Sequence, residues 1–451
     1  MNQKGTKYYF LGIGGIGMSA LAKYLFDVGN RVMGYDKTPS PITSQLIDLG
    51  ITVVFDDSLD KIPEDFCQED TQIVYTPAVP KEHPQLNFFI EQGNQIKKRA
   101  VVLGEITKNT VVFAIAGTHG KTTTASFLTH YFAHLNLEFT AFLGGMMNEY
   151  QSNLVQKGKQ YSIVEADEYD RSFLQLFPDY ACITAMDADH LDIYGNHENM
   201  KKAFDQFSKL VKHKVVVAKE VDIEAYRYGL EEQANYHAEA IRVEGQGYRF
   251  DLVSPSQTHK DIYLSAMGRH NLSNAIGALA ILDIGGFSLE KVLPALGTFK
   301  GIKRRMEVFS LENKIVIDDY AHHPEEIDAV LKTISEFYPD KRNMVVFQPH
   351  LFSRTQDFME GFVDVLSQFD EIVLMDIYPA REQPIAGVTS DVLLGLIQHK
   401  NKRKISEEAF QSTIVDSQAD LVLVLGAGDI GNHIQKLKKQ LKCNSKNTSF
   451  L

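Results

Sequence analysis

A short run of glycine, lysine and threonine residues offers the clearest chemistry in this chain. Val111–Ala116 has the apolar, β-branched character of a buried strand, Gly117–Gly120 interrupts it, and a helix is predicted from Lys121. Backbone N–H groups and a helix N-terminus converge on anions at such turns, and the lysine adds charge for β- and γ-phosphates. Ile115 stands where the common GxxxxGK[ST] pattern has glycine, so we predict a shortened phosphate loop. The alternative is a glycine turn with a solvated lysine.

Side chains that could hold a metal lie close to this loop in the predicted sheet. Thr122 follows the lysine directly, and acidic clusters follow the predicted strands Tyr161–Ala166 and Ala181–Ala185. Because ligands sit at the carboxyl ends of parallel strands, both clusters should face the same phosphates. Their hydroxyl and carboxylate oxygens suit Mg²⁺. The clusters contain Glu165, Asp167, Glu168, Asp170, Asp187, Asp189 and His190.

A second glycine turn lies near the start of the chain. The predicted strand Tyr8–Ile13 opens into a Gly-x-Gly-x-x-Gly pattern that ends at Gly17, and a helix is predicted over Ile16–Val28. Asp36 ends the next strand 19 positions after Gly17, near the position at which an acidic residue meets a ribose hydroxyl. The pattern favours a dinucleotide-type ligand. A tight strand-to-helix turn without a ligand is the alternative.

Composition limits the classes of protein that fit this chain. Its 451 residues predict two or three domains, and 44% hydrophobic residues are typical of a folded chain. A net charge of −12 argues against a nucleic-acid partner, which would require a basic surface. The three cysteines form no CxxC pair, and no apolar run reaches the roughly 18 residues of a membrane span. We expect a cytoplasmic protein without membrane insertion; no oligomeric state is indicated.

Alternating strand and helix patterns divide the chain into three predicted α/β domains. Residues 1–106 form a Rossmann-like domain, 107–301 a P-loop ATPase-like domain with a mostly parallel sheet, and 302–451 a second Rossmann-like domain. A β-rich stretch over Ala238–Ala266 predicts a small antiparallel appendage. The following helix, His270–Ile284, carries Asn271 and Asn274 on one face, where they could share a ligand or cap the helix.

The predicted third domain places polar residues after its strands Lys314–Ile317, Met344–Phe347 and Leu421–Leu425. Arg304 and Arg305 precede these strands, where they could reach a phosphate or belong to a solvated linker. The polar residues include Asp318, Asp319, His322, His323, Gln348, His350, Ser353, Arg354, Gly426, Gly428 and Asp429.

Three α/β domains, one of them with an ATP-type site, suit a ligation reaction. Phosphorylation of a carboxylate gives an acyl phosphate that an amine can attack, and positioning and charge neutralisation do most of the work in such transfers. An NAD-dependent oxidoreductase is favoured by the first glycine turn alone, and a nucleotide-gated binding protein without ligation is a further alternative.

The motifs resemble those of the Mur ligases over nearly the whole chain. FLGIGGIGMSALA, AGTHGKTTT, EADEYDRSFL, DADHLDIYG, GxHNxxNA, DDYAHHPEEI, FQPHLFSRT and LGAGDI occur in the order of that family. The resemblance implies an ATP- and Mg²⁺-dependent, ADP-forming ligase that joins L-alanine to UDP-N-acetylmuramate in peptidoglycan synthesis. The nearest alternative adds an intact peptide to the same UDP-sugar. Two positions depart from the family: Leu351 replaces a frequent arginine, and Ala321 a usual glycine.

The resemblance also implies a role for each motif. The catalytic residues would be Lys121, Glu168 and His190, with Thr122 and Glu168 on one Mg²⁺ and His190 on a second. The amino acid would be recognised by His322, His350 and Arg354. The UDP-sugar would bind Gly12, Gly14, Gly15, Ile16, Gly17 and Asp36. ATP would bind Gly117, Thr118, His119, Gly120, Lys121, Thr122, Thr123, Asn271, Asn274, Arg305, Asp319 and His323.

Overall fold

A computed structural model describes residues 5–187, 194, 196–380 and 382–447 of the chain. The chain divides into two compact units. Unit 1 comprises Met1–Arg242, Tyr248–Ser265 and Asn271–Lys300. Unit 2 comprises Val243–Gly247, Ala266–His270 and Gly301–Leu451.

Unit 1 begins with a five-stranded parallel sheet of order β3-β2-β1-β4-β5. The strand β1 is almost fully buried, and Gly12 ends it with a φ of +83°, a conformation that favours glycine. Helix α1 then begins at Ile16. The strands are β1 Lys7–Leu11, β2 Arg31–Tyr35, β3 Thr52–Val54, β4 Gln72–Tyr75 and β5 Ile96–Lys98; the helices are α1 Ile16–Asp27, α2 Pro41–Asp48, α3 Pro84–Glu91 and α4 Arg99–Thr107.

The second sheet of unit 1 has seven strands in the order β12-β11-β10-β6-β9-β7-β8. It is parallel except for the β7–β8 hairpin. Its strands are β6 Val111–Ala116, β7 Phe139–Met147, β8 Ser152–Gln156, β9 Tyr161–Ala166, β10 Tyr180–Ile183, β11 Lys214–Ala218 and β12 Tyr226–Tyr228. Helices α5 Lys121–His134 and α6 His197–Leu210 lie between these strands in the chain.

A three-stranded sheet and further helices follow. The strands β13 His237–Glu244, β14 Gly247–Val253 and β15 Thr258–Leu264 form one sheet, in which β14 and β15 are antiparallel, as predicted for Ala238–Ala266. The next helices are α7 Arg269–Ile284 and α8 Leu289–Val292.

Unit 2 contains a six-stranded sheet of order β16-β17-β21-β18-β19-β20, in which only β16 is antiparallel to its neighbour. Apolar clusters cover both faces of this sheet. The strands are β16 Glu307–Leu311, β17 Lys314–Asp319, β18 Asn343–Phe347, β19 Glu371–Leu374, β20 Lys402–Lys404 and β21 Leu421–Leu425. The helices are α9 Pro324–Phe337, α10 Phe352–Asp357, α11 Met359–Leu366, α12 Ser390–Leu396, α13 Phe410–Val415 and α14 Ile430–Asn447.

The predicted fold class, α/β with mostly parallel sheets, is confirmed. The strands β6, β9 and β21 have the predicted bounds. The strand β1 ends at Leu11 and not at Ile13, because the N–H groups of Gly12 and Ile13 both turn to the Tyr35 carbonyl. Gly144 lies inside β7. None of the helices in the described ranges has the length and apolar character needed to cross a bilayer.

Candidate active site

The phosphate loop is a tight turn whose two glycines have backbone conformations that other residues rarely adopt. Gly117 has a φ of +135° and Gly120 a φ of +79°. A Cβ on Gly117 would lie 2.8 Å from the Ala185 nitrogen, and one on Gly120 would lie 2.5 Å from Asn274 Oδ1. Side chains are therefore excluded at both glycines by contact as well as by conformation.

The segment that follows β10 holds this loop in place. The Thr184 hydroxyl contacts the carbonyl oxygens of Ala116, at 3.1 Å, and His119. The Thr118 N–H donates to the Ala185 carbonyl, and the Asp187 N–H donates to Thr118 Oγ1 at 3.1 Å. These bonds fix the loop between two neighbouring parallel strands, β6 and β10, as the predicted sheet requires.

Lys121 and Glu168 form a buried ion pair at the start of helix α5. Lys121 Nζ lies 2.9 and 2.7 Å from the two carboxylate oxygens of Glu168, whose side chain is 1% exposed. Burial by itself lowers the pKa of Lys121, but the charges of Glu168, Asp167 and Glu165 outweigh it, and the pKa is raised. Lys121 is therefore held as a cation beside the loop.

Thr122 and Glu168, which the resemblance assigns to one Mg²⁺, have different hydrogen-bond partners in the structure. Thr122 Oγ1 donates to Glu165 Oε2 at 2.9 Å, and Glu165 also accepts a hydrogen bond from the Gly144 N–H. Glu168 faces Lys121. The donor set of Thr122 with nearby carboxylates fits Mg²⁺, which prefers hard oxygen ligands. His190, predicted to hold a second ion, lies outside the described residues.

The two asparagines predicted at the ATP site are both buried on helix α7. Asn274 Oδ1 accepts a hydrogen bond from Thr124 Oγ1 at 3.3 Å and lies against Gly120. The helix begins at Arg269, so neither Asn271 nor Asn274 occupies the N-cap position. Capping, the alternative considered for both residues, does not describe them.

The first glycine turn is organised by the aspartate predicted to meet a ribose. Asp36 Oδ2 accepts a hydrogen bond from the Gly14 N–H at 2.7 Å. A Cβ on Gly14 would lie 2.8 Å from the same oxygen, and one on Gly17 would lie 2.9 Å from Arg99 Nη1. Arg99 Nη2 donates in turn to Asp167 Oδ2 at 3.1 Å. Sequence reasoning missed Arg99, because 68 positions separate it from Asp167.

One cavity of unit 1 joins the two glycine turns. Its volume is about 390 Å³, and it is lined both by the start of helix α1 and by the phosphate-loop helix. A ligand held by the first turn would therefore extend toward the lysine. The polar lining comes from Thr76, Arg99, Lys121, Thr122, Glu165 and Asp167.

Unit 2 brings together the residues predicted to recognise the amino acid. Arg354 Nη1 lies 3.4 Å from His350 Nδ1, and the rings of His322 and His350 are 6.0 Å apart. The Tyr378 ring stacks on His350 at 5.8 Å and 13°. Burial lowers the pKa of His322, an effect that Glu326 opposes and Arg354 reinforces.

Three residues assigned to ATP by the resemblance also lie in unit 2. Asp319 is buried and accepts hydrogen bonds from the N–H groups of Met306 and Ala321, at 2.7 and 2.8 Å. Burial raises the pKa of Asp319 to about 6, against the opposing charge of Arg305. His323 caps helix α9 by accepting from the Glu325 N–H.

The two arginines before β16 have different surroundings. Both guanidinium groups lie over the Tyr320 ring, 5.2 Å from its centre for Arg304 and 5.1 Å for Arg305. Arg304 also donates hydrogen bonds to the carbonyl oxygens of Gly426 and Gly428. The prediction that both arginines are placed to reach a phosphate finds no support for Arg304, whose guanidinium is occupied by these carbonyls.

These features define a class of protein: an α/β protein with a P-loop-type nucleotide site, in which a second glycine turn opens into the same cavity. Models of the Mur ligase family match three consecutive segments. The family's catalytic domain matches residues 7–110, its middle domain 115–282 and its glutamate ligase domain 304–428.

Individual proteins agree with these matches. A UDP-N-acetylmuramate-L-alanine ligase of Flavobacterium johnsoniae is 48% identical over 439 residues, which are 97% of this chain and 98% of that protein. The crystal structure of a UDP-N-acetylmuramate-alanine ligase of Thermotoga maritima has a TM-score of 0.85 at 28% identity, covering 97% of this chain and 99% of that one. A murein peptide ligase of Psychrobacter arcticus shares the fold, with a TM-score of 0.72 at 20% identity over 96% and 98% of the two chains. The chain belongs to the Mur ligase family.

Proposed function

We propose that this protein joins L-alanine to the carboxylate of UDP-N-acetylmuramate and converts ATP to ADP and phosphate. The observation that carries the proposal is the cavity lined by residues of both the first glycine turn and the phosphate-loop helix. A UDP-sugar whose diphosphate lies at the first turn would extend its carboxylate toward Lys121. The γ-phosphate of ATP belongs at that lysine by the chemistry of phosphate loops.

The reaction needs two steps. A carboxylate oxygen attacks the γ-phosphorus, the bond from that phosphorus to the β-phosphate oxygen breaks, and ADP leaves. The amine nitrogen of alanine then attacks the acyl carbon, phosphate leaves, and the nitrogen loses a proton to give the amide. Charge neutralisation and positioning are the main contributions of a protein to the first step.

Unit 1 supplies the residues for phosphoryl transfer. Lys121 would neutralise charge on the β- and γ-phosphates, and its ion pair with Glu168 keeps the ammonium at the loop. Thr122 and Glu165 would hold Mg²⁺, which when bound neutralises the phosphoryl oxygens, whereas Glu168, the ligand implied by the resemblance, is paired with Lys121. Arg99, which faces both Gly17 and Asp167, is placed to bind an anionic group of the UDP-sugar in the cavity.

Unit 2 supplies the residues for the amino acid. A guanidinium matches a carboxylate with two parallel hydrogen bonds, so Arg354 would hold the carboxylate of alanine, with His350 and His322 beside it. We propose three functional domains, 1–106 for the UDP-sugar, 107–301 for ATP and 302–451 for the amino acid.

The runner-up function is addition of an intact peptide to the same UDP-sugar. The relative named for L-alanine is 48% identical to this chain, whereas the murein peptide ligase is 20% identical and shares only the fold. Alanine is therefore the favoured amine.

A substrate panel tests the proposal. Phosphate release should require UDP-N-acetylmuramate and L-alanine together, and mass spectrometry should find the alanyl product. D-Glutamate and a tripeptide serve as alternative amines. AMP formation, or a product that contains glutamate or tripeptide but never alanine, would overturn the assignment.

A further inference from the structure

A buried contact between the two sheets of unit 1 lies behind the first glycine turn. Asn153 is fully buried on the edge strand β8. Its Nδ2 donates to the Ile16 carbonyl at 2.6 Å and to Ser19 Oγ at 3.0 Å. Its Oδ1 accepts from Lys23 Nζ at 3.1 Å. One side chain of the second sheet is thus bonded to three residues of helix α1, which belongs to the first sheet.

Helix α1 begins at the residue that Asn153 holds. Ile16 follows Gly12–Gly15 directly and lines the shared cavity together with Lys121 and Thr122. On the other side, the turn is fixed within its own sheet by the bond from Gly14 to Asp36. Asn153 therefore joins the glycine turn to the sheet that carries the phosphate loop.

Lys23 and the Ile16 carbonyl together determine which way the Asn153 amide points. The lysine ammonium only donates hydrogen bonds, so the atom of Asn153 that faces it must be the oxygen. The amide NH₂ is then directed at the Ile16 carbonyl. Without the lysine, the buried amide oxygen would lose its donor, and only the Ile16 carbonyl would still orient the amide.

Stability alone does not explain a lysine at this position. Lys23 is 5% exposed, and its hydrogen-bond partners in the described part of the chain are the amide oxygens of Asn153 and Gln45, not a carboxylate. Burial lowers the pKa of Lys23, an effect that the charge of Asp27 opposes. Burying a charge without an opposite partner costs free energy, which offsets the loss of the hydrogen bond to Asn153 when an apolar side chain replaces the lysine.

We propose that Lys23 and Asn153 are positioning residues for the UDP-sugar. They set the first turn of helix α1, and with it the diphosphate, at the correct distance from the phosphate loop. The inference rests on the proposed function. Because reacting groups must lie within about 3–3.5 Å, a displacement of about 1 Å at the turn can lower the rate up to about 100-fold.

The test compares three variants of the full chain. Lys23→Met removes the donor that orients the amide, and Asn153→Asp keeps its shape but removes both N–H donors. Gln45→Leu is the matched control, since it removes the other partner of Lys23 and leaves Asn153 in place. Direct calorimetric binding of UDP-N-acetylmuramate is measured beside the KM values for that substrate and for ATP, and thermal melting monitors the fold.

We expect Lys23→Met and Asn153→Asp to weaken UDP-N-acetylmuramate binding and raise its KM by at least about fivefold, since a misplaced turn loses contacts with the diphosphate. The KM for ATP and the melting temperature of Lys23→Met should stay close to those of the unaltered chain, as should every value for Gln45→Leu. Unchanged binding in Lys23→Met, or equal increases in both KM values, would overturn the inference. Absence of UDP-N-acetylmuramate binding or turnover in the unaltered chain would instead overturn the proposed function.

Discussion

Lys121 Nζ lies within 2.9 Å of both carboxylate oxygens of Glu168, and Glu168 is the more deeply buried partner of the two. Removing one member of a buried ion pair leaves the other charge without compensation. The pair therefore holds the phosphate-loop lysine in a defined place, a role that the metal-ligand assignment alone does not describe.

Glu168→Gln should greatly lower turnover while binding of the UDP-sugar persists. The substitution keeps the shape of the side chain but removes the charge that keeps Lys121 at the loop, so we expect kcat to fall by at least about 100-fold. The KM for UDP-N-acetylmuramate should change little, because Glu168 does not line the shared cavity.

The control is Glu105→Gln, which removes one partner of an exposed pair with Lys97 at 2.8 Å. Exposed pairs contribute little, so this variant should keep its activity. Equal losses of turnover and of UDP-sugar affinity in Glu168→Gln would contradict the separation of the two sites.

The Mg²⁺ concentration needed for activity should depend on the hydroxyl of Thr122 and the carboxylate of Glu165. These groups are bonded to each other at 2.9 Å, which leaves Glu168 to the lysine. Thr122→Val and Glu165→Gln should each raise the half-saturating Mg²⁺ concentration by about tenfold, and Thr122→Ser, which keeps the hydroxyl, by less than about twofold. If only Glu168→Gln raised the half-saturating Mg²⁺ concentration tenfold, Glu168 and not Glu165 would be the metal ligand.

Alanine at position 120 should destabilise the phosphate loop by two separable effects. The φ of +79° strains any side chain, and the new Cβ would lie 2.5 Å from Asn274 Oδ1. We expect Gly120→Ala to lower the free energy of unfolding by about 1–3 kcal/mol.

Gly286→Ala is the matched control. Gly286 has a φ of +88°, but nothing lies within 4 Å of its Cβ position, so this variant reports the strain without the contact. Asn274→Ala should recover part of the loss in the Gly120→Ala background, measured as a double-mutant cycle in denaturant. Equal losses at positions 120 and 286 would show that the contact with Asn274 contributes nothing.

Protonation of Asp319 should make the folded chain more stable at mildly acidic pH. Burial raises its pKa to about 6 from the ordinary value of 3.8, so between these values the folded chain binds more protons than the unfolded chain. Stability from this group therefore increases as the pH falls through 6, by about 1 kcal/mol between pH 7.5 and pH 5.

Asp319→Asn removes the titration and should remove this increment. Urea unfolding of both proteins at the two pH values gives the difference between them, in which the other titrating groups cancel. Identical pH dependence in the two proteins would contradict a raised pKa for Asp319.

Local sequence patterns predicted the strand, the turn and the helix that form the phosphate loop. The apolar run of β6, the glycine turn and helix α5 are adjacent in the chain, so their periodicity and turn signals were sufficient. The choice between Glu165 and Glu168 depends on strand register, because the pairing of Ile115 with Glu165 brings that carboxylate to Thr122. The residue pattern of β9 alone does not show which residue of β6 pairs with Glu165.

The contacts of Arg99 and Asn153 could not be predicted from the sequence. Arg99 meets Asp167 across 68 positions, and Asn153 meets Ile16 across 137. Each joins the first two sheets of unit 1, and nothing about a single arginine or asparagine in the sequence identifies such a distant partner. The roles of the remaining site residues, including His190, stay predictions.

The most direct measurement follows oxygen from the UDP-sugar into phosphate. UDP-N-acetylmuramate labelled with ¹⁸O at both carboxylate oxygens is incubated with ATP, Mg²⁺ and L-alanine, and the released phosphate and the product are analysed by mass spectrometry. If a carboxylate oxygen attacks the γ-phosphorus and the amine then displaces phosphate, each phosphate carries one ¹⁸O and each amide retains one. Unlabelled phosphate, or a product with both labels, would contradict an acyl-phosphate ligase.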